Sequence, residues 1–300
     1  MRILANLSRR NFLAVSAAAG VAGAAGGAAA RGPAPAESSA TGQKTRPFPL
    51  SLASYSLRKF SLEQTLAMTR RVGLEAICLK SFHLPLTATD AEIAAARRKI
   101  EAAGIKLCGG GVIHMRQSGQ IEPAFAYAKS AGMPLIVAAP AAELLDEIEK
   151  QAIENDIVIA IHNHGPGDDH FPTPAAAYEK IKNRDTRIGI CHDIGHTARF
   201  GEDAIEQTKS CADRIYDVHI KDVTAATAQA HETVVGRGII SVPALLRVLA
   251  ATNYGGYLSF EYEPDADDPL PGLAESVGYV RGVLDGMKRE VREPGEPARG

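Results

Sequence analysis

The chain has no tryptophan, and only 5% of its 300 residues are aromatic. It also has no basic excess, since 33 lysines and arginines stand against 35 aspartates and glutamates. A protein that binds a nucleic acid duplex normally carries a basic face, so this balance argues against a nucleic acid partner. After the first thirty residues, no apolar run is long enough to cross a membrane, and we expect no membrane span in the mature chain.

Cysteine is also scarce, with four residues and no C-x-x-C pair. The four lie inside strand-like or helix-like runs, so we interpret them as small buried apolar residues. A disulfide among them stays open at this stage, because an exported protein reaches an oxidising compartment. The residues concerned are Cys78, Cys108, Cys191 and Cys211.

Residues 1–30 differ from the rest of the chain: basic residues occur only at the front, and acidic residues are lacking. Small residues at Ala28 to Ala30 fit an export signal with an A-x-A-like cleavage site. The segment from Ser8 to Leu13, with its Arg9-Arg10 pair, resembles a twin-arginine signal, which directs proteins that are already folded. We therefore expect the twin-arginine translocation machinery as a partner and a periplasmic mature chain. Its 30 basic and 35 acidic residues would give a formal charge of −5.

The domain organisation follows from composition. Residues 31–47 are rich in Pro, Ala, Ser and Gly, and residues 290–300 are polar and contain proline, so we predict a disordered linker and a disordered tail. Between them, residues 48–289 have the usual size of one TIM barrel, about 240 residues.

Short apolar or β-branched runs alternate with amphipathic stretches eight times, which implies parallel strands with right-handed crossovers. An open doubly wound sheet normally has fewer strands and a phosphate loop after the first. The run Gly109-Gly110-Gly111 lacks the Lys-Ser/Thr of a P-loop, so we interpret it as a tight strand end that leaves room for a substrate. We predict an α/β protein with a single (β/α)8 TIM barrel. The predicted strands are Leu50–Tyr55, Leu74–Lys80, Ile105–Val112, Leu135–Ala139, Ile157–Asn163, Ile188–Asp193, Ile215–Lys221 and Tyr257–Tyr262, and the predicted helices begin near Ser61, Asp90, Ile121, Ala141, Pro174, Asp203, Val242 and Leu273.

Period-two alternation assigns a face to each residue of the later strands. The large apolar residues should face the helices, which directs the polar residues into the barrel at the carboxyl ends of the strands, where TIM barrels place their chemistry. Residues predicted to point outward include Ile157, Ile159, Ile161, Tyr216, Val218 and Ile220; those predicted to point inward include His162, His164, Asp193, Asp217, His219, Lys221 and Glu261.

Four consecutive strands thus each supply one potential metal ligand: His162, Asp193, His219 and Glu261. A lone inward histidine is more often a core residue, and a lone glutamate more often half of an ion pair. Four such residues at matching depth, including two carboxylates that are costly to bury unpaired, favour one shared divalent cation. Two imidazoles and two carboxylates suit Mn, Zn, Co or Fe better than Ca or Mg, which prefer oxygen ligands.

From roughly Leu50 to Leu284 the chain resembles the xylose-isomerase-like TIM barrels of the sugar phosphate isomerase/epimerase superfamily, which includes an endonuclease-IV branch. The motifs that carry the resemblance are H-N-H-G at 162–165, H-D-I-G-H at 192–196, V-H-I-K-D at 218–222, G-R-G at 236–238 and S-F-E at 259–261. The resemblance implies that Asp193, His219 and Glu261 bind the metal, and that His196 and Arg237 contact substrate oxygens, with Lys221 nearby. It also marks a departure, because many members have Glu where this chain has His162. One of the two carboxylates that exchange protons on opposite faces of the substrate is thereby replaced by an imidazole.

The leading prediction is a metal-dependent, isomerase/epimerase-like enzyme that removes a proton next to the carbonyl of a keto-sugar. The catalytic candidates are Glu261, His162, His196 and Lys221, and the candidates for contact with substrate are His164, His196, Arg237, Lys80, His83 and His114. Three alternatives remain: elimination from a 3-keto-glycoside, a non-catalytic sugar-binding barrel, and phosphodiester hydrolysis with extra ligands such as His83 and His114. The acidic balance counts against the last. The sequence leaves open the sugar, the metal, whether His162 or His164 is the metal ligand of the fifth strand, and whether the protein forms a homo-oligomer.

Overall fold

The computed structural model describes residues 48–290. The predicted signal segment 1–30, the linker 31–47 and residues 291–300 of the predicted tail lie outside this range. Eight parallel strands close into a barrel in which the last strand pairs with the first, so the predicted (β/α)8 barrel is confirmed. The strands are β1 (Leu50–Ala53), β2 (Ala76–Leu79), β3 (Lys106–Met115), β4 (Leu135–Pro140), β5 (Val158–His162), β6 (Ile188–Asp193), β7 (Ile215–Ile220) and β8 (Tyr257–Phe260).

Helices surround the barrel and begin close to the predicted positions. Ser61 and Thr89 each begin a helix with a capping box, which satisfies backbone amides at the helix start. The helix predicted near Ala141 begins at Leu145 because Ala142–Leu144 form a 3-10 turn. None of the helices in residues 48–290 has the length and apolar character needed to cross a bilayer. The helices are Leu62–Arg71, Asp90–Ala102, Ile121–Ala131, Leu145–Asn155, Pro174–Ile181, Ile194–Arg199, Ala204–Ser210, Val242–Ala251 and Leu270–Glu290.

Two apolar layers hold the fold together. The larger lies between the strands and the helices and contains the outward isoleucines of β5 and β6. The smaller fills the barrel interior and contains Cys78, Cys108 and Cys191, together with small residues such as Ala160. All four cysteines lie within the described residues and are buried and unpaired, as expected for small apolar residues.

The face predicted for Tyr216 is wrong. The pairing register between β6 and β7 shifts after Ile190, so Tyr216 belongs to the interior cluster instead of the outer layer. Its ring fills the space beside Gly189, where an added Cβ would collide with it.

The glycine run of β3 serves close strand packing. A Cβ at Gly109 would lie 2.9 Å from the carbonyl oxygen of Leu135, and one at Gly111 would collide with the carbonyl of Val137. Gly111 also has a positive φ of 152°. Side chains at Gly109 and Gly111 would therefore clash with β4, so the close approach of the two strands requires glycine at both positions.

Candidate metal centre

Four buried side chains meet at the carboxyl end of the barrel: His162 at the end of β5, Asp193 at the end of β6, His219 in β7 and Glu261 just after β8. One ligand atom from each lies within 4.8 Å of the others. His162 Nε2 lies 3.1 Å from His219 Nδ1 and 3.5 Å from Asp193 Oδ2, and His219 Nδ1 lies 3.2 Å from Glu261 Oε2. Ligand atoms held about 2.0–2.2 Å from one ion lie roughly 3–4 Å from one another, so the four donors fit a single divalent metal.

Asp193 is positioned by the helix that it caps and by Asn163. Its Oδ1 accepts a hydrogen bond of 2.7 Å from the amide of His196 and thereby caps the helix Ile194–Arg199. The Asn163 side chain accepts from the Asp193 amide at 2.9 Å and donates to the Asp193 carbonyl at 3.1 Å. The remaining oxygen, Oδ2, is buried and has no hydrogen-bond partner among the described residues. Its close neighbours are the Lys221 ammonium at 3.4 Å and the imidazoles of His162 and His219 at 3.5 and 3.9 Å, so a carboxylate oxygen without a hydrogen bond is available to a metal.

The carboxylate of Asp217 lies behind His219, on the side away from the other candidate ligands. While Nδ1 of His219 faces the other ligand atoms, its Nε2 lies 3.5 Å from Asp217 Oδ2. Asp217 Oδ1 accepts a hydrogen bond of 2.9 Å from Ser259, whose hydroxyl lies 2.6 Å from that of Ser51. His219 Nε2 forms no hydrogen bond among the described residues, but the Asp217 carboxylate faces it, in the position from which carboxylates generally orient metal-bound histidines.

Three of the four donors are in the protonation state that a metal requires. Burial lowers the pKa of His162 well below its usual value, so its imidazole is neutral. Burial alone would raise the pKa of Asp193 and of Glu261, but the Lys221 ammonium outweighs it and both carboxyl groups have pKa values well below their usual range.

Burial would lower the pKa of the fourth donor, His219, but the charges of Glu261 and Asp217 raise it above its usual value, so a metal has to compete with a proton for this imidazole. Cys191 also lies near the two histidines, and burial raises the pKa of its thiol well above the ordinary value.

Lys221 is the buried cation of the site. Its Nζ lies 3.0 Å from Glu261 Oε2 and 3.4 Å from Asp193 Oδ2. It also lies 2.5 Å from Glu263 Oε1 and 3.2 Å from Glu232 Oε1. Burial would lower the pKa of Lys221, but Asp193 and Glu261 raise it well above its usual value. The ammonium is therefore permanently charged and links the ligand carboxylates to two outer glutamates.

Contacts with Asp222 account for the two glycines of the G-R-G motif at 236–238. Its carboxylate accepts hydrogen bonds from the amides of Gly236 and Gly238, each at 2.9 Å, and from Ile240 at 3.1 Å. A Cβ at Gly238 would collide with that carboxylate. The same segment includes a short antiparallel ribbon, Asp222–Val223 paired with Glu232–Thr233, which carries Glu232 to Lys221.

Two further histidines lie beside the candidate ligands. The His164 ring lies 4.5 Å from that of His162, and the His196 ring lies 5.8 Å from it. His164 Nδ1 is 3.3 Å from Asp168, which is itself held by the amides of His170 and Phe171. Burial lowers the pKa of His196 to about 4, so His196 is a neutral hydrogen-bonding group.

The other predicted substrate contacts take different positions. His114 is exposed, with its ring stacked 5.9 Å from that of His164. Lys80 donates a hydrogen bond of 2.7 Å to the Val112 carbonyl and has its pKa lowered by burial, partly offset by the charge of Glu261. Arg237 is exposed and forms two hydrogen bonds with Glu275, at 2.6 and 2.8 Å, so its contact with substrate stays a prediction.

His83 has a structural environment. It is buried, with Nδ1 2.9 Å from the Ser54 hydroxyl and Nε2 3.0 Å from the Thr65 hydroxyl. Both ring nitrogens of His83 therefore have partners within the fold, and His83 is not among the residues that meet at the candidate metal centre. It holds the turn after β2 against the turn after β1.

Sequence reasoning assigned no role to several residues that shape the site. Asn163 and Asp217 fall inside motifs or on the correct face, but their partners are distant in the chain. His192, inside H-D-I-G-H, lies 2.9 Å from the Thr197 hydroxyl and 3.1 Å from that of Thr208, and so anchors two helices. Gly195 in the same motif leaves room for the Lys221 side chain, which an added Cβ would approach to 2.7 Å.

Comparison with known proteins gives both sequence and structural relatives. Residues 41–283 match the family model described as xylose isomerase-like TIM barrel. The rhizopine catabolism protein MocC of Rhizobium meliloti is 32% identical over 108 residues, which cover 31% of this chain and 33% of that protein. Inosose dehydratase of Clostridium perfringens is 27% identical over 159 residues, covering 46% of this chain and 50% of that protein. The matched segments thus span half or less of the length of these relatives.

Solved structures share the fold over most of the chain. L-ribulose 3-epimerase superposes with a TM-score of 0.66 and 18% identity, covering 83% of this chain and 99% of that one. The apo form of 3-keto-D-glucoside 4-epimerase from E. coli gives a TM-score of 0.61 and 19% identity, covering 74% of this chain and 94% of that one. At this level of identity the likeness establishes the fold alone.

Proposed function

The chain belongs to the xylose isomerase-like TIM barrel family, and we propose that it is a divalent-metal-dependent enzyme that removes a proton from the carbon next to the carbonyl of a keto-sugar. The observation that carries the proposal is the convergence of His162, Asp193, His219 and Glu261 within 4.8 Å at the carboxyl end of the barrel. The names of relatives, which include a dehydratase and two epimerases, support a sugar-modifying reaction.

The metal would be held by the two imidazoles and two carboxylates of this centre. When bound, it would polarise the substrate carbonyl and an adjacent hydroxyl as a Lewis acid. This donor set suits Mn, Zn, Co or Fe.

Glu261 is the proposed proton acceptor. Its Oε2 lies among the ligand atoms, so Oε1 is the oxygen that takes the proton from the substrate carbon. Lys221 Nζ, 3.0 Å from Oε2, keeps the carboxylate ionised until the substrate arrives. His196 and His164 line the same centre and would hydrogen-bond substrate hydroxyl groups, with the His164 ring oriented through Asp168.

His162 favours a reaction on one face of the substrate. A neutral imidazole stands where a second carboxylate would be needed for symmetric epimerisation, and burial keeps the pKa of His162 well below the usual value. Elimination of a group from the carbon beyond the deprotonated one requires a single base, so a lyase acting on 3-keto-glycosides is the second candidate function.

The test combines metal analysis with hydrogen exchange. The purified protein should contain one divalent metal per chain, and it should exchange one substrate C–H for deuterium with a keto-sugar or 3-keto-glycoside. Asp193→Ala and His219→Ala should lose the metal, whereas His231→Ala, which removes an exposed histidine, should keep it. Full metal content in both ligand variants would refute the site, and metal-dependent sugar binding without exchange would support a binding protein instead.

A further inference from the structure

Phe82 lies at the carboxyl end of the barrel, on the side of the candidate metal centre, and the proposed function assigns it no role. Its side chain is 54% exposed, in a chain with few aromatic residues. It lies in the turn after β2, and its ring centroid is 5.7 Å from that of Tyr55, which lies in the 3-10 turn Ser54–Leu57 after β1. Both turns follow carboxyl ends of strands, where the candidate site lies.

The turn that carries Tyr55 is fixed to the strand that carries Glu261. The hydroxyl of Ser56 donates to the Phe260 carbonyl at 3.1 Å and accepts from the Tyr262 amide at 2.8 Å. These two backbone groups flank Glu261 on either side. The turn that carries Tyr55 is therefore anchored to the segment that carries the proposed base.

The turn that carries Phe82 is equally rigid. The next residue, His83, is buried and has both ring nitrogens occupied, with Nδ1 2.9 Å from the Ser54 hydroxyl. The same hydroxyl accepts the Lys80 amide at 2.7 Å. An exposed phenyl ring on a fixed turn is a preformed surface, which binds a ligand at little cost in conformational entropy.

Two cations lie over the Tyr55 ring. The Arg58 guanidinium lies 4.9 Å from the centre of the Tyr55 ring, and Lys80 Nζ lies 5.9 Å from it. Arg58 is held there by a hydrogen bond of 2.9 Å to the Glu263 carbonyl. The charge of Glu261 acts on Lys80, which contacts the Tyr55 ring. Tyr55 in turn contacts Phe82, whose ring is exposed to solvent.

We propose that Phe82, backed by Tyr55, forms an aromatic platform for a ring attached to the keto-sugar, so that the substrate is a glycoside with a ring-bearing aglycone. Aromatic side chains bind sugar and aryl rings through their apolar faces, and they commonly line small-molecule sites. This inference rests on the proposed function, since it places the aglycone on the outer side of the proposed base.

The test compares phenyl and methyl 3-keto-glucosides as substrates. Phe82→Ala should lower the ratio of kcat/KM for the phenyl substrate to that for the methyl substrate by about three- to tenfold, the range expected for loss of one aromatic contact. Phe82→Tyr should retain the ratio. Ile153→Ala, which removes an exposed apolar side chain from the helix Leu145–Asn155, should leave it unchanged.

A binding measurement separates failure of this inference from failure of the proposed function. Saturation-transfer NMR with phenyl and methyl β-D-glucoside should show contact with the phenyl ring in the wild type and its loss in Phe82→Ala. Turnover with an unchanged ratio in Phe82→Ala overturns the platform and leaves the function in place. Phe82-dependent binding of the phenyl glucoside without turnover overturns the function and supports the platform. A change of oligomeric state in Phe82→Ala with an unchanged ratio assigns the surface to a second copy of the chain and also overturns the platform.

Discussion

His162 sets the charge of the candidate centre. With a neutral imidazole at this position, the four donors carry two negative charges, from Asp193 and Glu261, against the two positive charges of a divalent ion. The Lys221 ammonium adds one positive charge and is paired with Glu263 at 2.5 Å, while burial raises the pKa of Glu232, 3.2 Å away, to about 8. A bound metal would therefore keep its capacity to attract electrons from the substrate.

Replacing His162 by Glu tests this balance. The variant should retain the metal, because a carboxylate can reach from the same strand position and suits the same ions. The added negative charge should slow proton exchange about tenfold, or about 1.4 kcal/mol of activation free energy. Wild type should exchange a proton on the Glu261 side only, whereas the variant gains a base on the opposite face and should show slow epimerisation by deuterium NMR. Wild-type metal affinity in His162→Ala would show that His162 is not a ligand.

Asp217 gives a second prediction at this scale. Asp217→Asn is nearly isosteric but removes the negative charge behind His219 Nε2, so metal affinity should fall about 10- to 100-fold. Competition with a chelator of known affinity measures the change. Asp213→Asn, which alters an exposed aspartate nearby, is the control and should leave the affinity unchanged. Equal affinities in the two variants would mean that Asp217 does not orient the imidazole.

Single residues were predictable where strand periodicity applied to them. Alternation directed His162, Asp193, His219 and Glu261 inward, and the structure brings them together. Alternation failed for Tyr216, because β7 has one extra residue at the point where its pairing register with β6 shifts. The roles of Asn163, Asp217 and His83 depend on partners 18 to 42 residues away, so no local pattern could reveal them.

Among the elements, the segment from Asp222 to Ile240 is organised by one buried carboxylate. Gly238→Ala should destabilise the protein by about 2 kcal/mol, because the added methyl group collides with Asp222 in a packed region. Gly278→Ala is the matched control, since Gly278 lies in the helix Leu270–Glu290 with open space around it. There the same change should stabilise by about 0.5–1 kcal/mol. Chemical denaturation measures both, and equal effects would refute the steric argument.

Element positions were predictable to within a few residues because strands and amphipathic helices have different periods. The helix Ile194–Arg199 was not predicted. It is six residues long, begins directly at the end of β6 and is capped by Asp193, so it has no separate amphipathic pattern of its own. The ribbon formed by Asp222–Val223 and Glu232–Thr233 was missed for the same reason, since two residues per strand are too few to show alternation.

At the scale of the whole molecule, eight repeats of one strand-helix pattern made the barrel predictable from sequence. Export is a separate matter, because it depends on residues outside the described range. We propose that the Arg9-Arg10 pair directs translocation of the folded protein. Arg9→Lys combined with Arg10→Lys should leave the protein in the cytoplasm, as measured by cell fractionation. Undiminished export of the double variant would show that the pair is incidental.

The described chain enters and leaves the barrel on the face opposite the candidate centre. β1 begins there at Leu50, and the Arg281 side chain near the end of the last helix donates a hydrogen bond to the Gly73 carbonyl, in the loop that precedes β2. A fused domain or a solid support joined directly at residue 48 or at residue 290 would therefore attach on the side of the barrel away from the four candidate ligands, and would leave the carboxyl ends of the strands facing the surrounding solution.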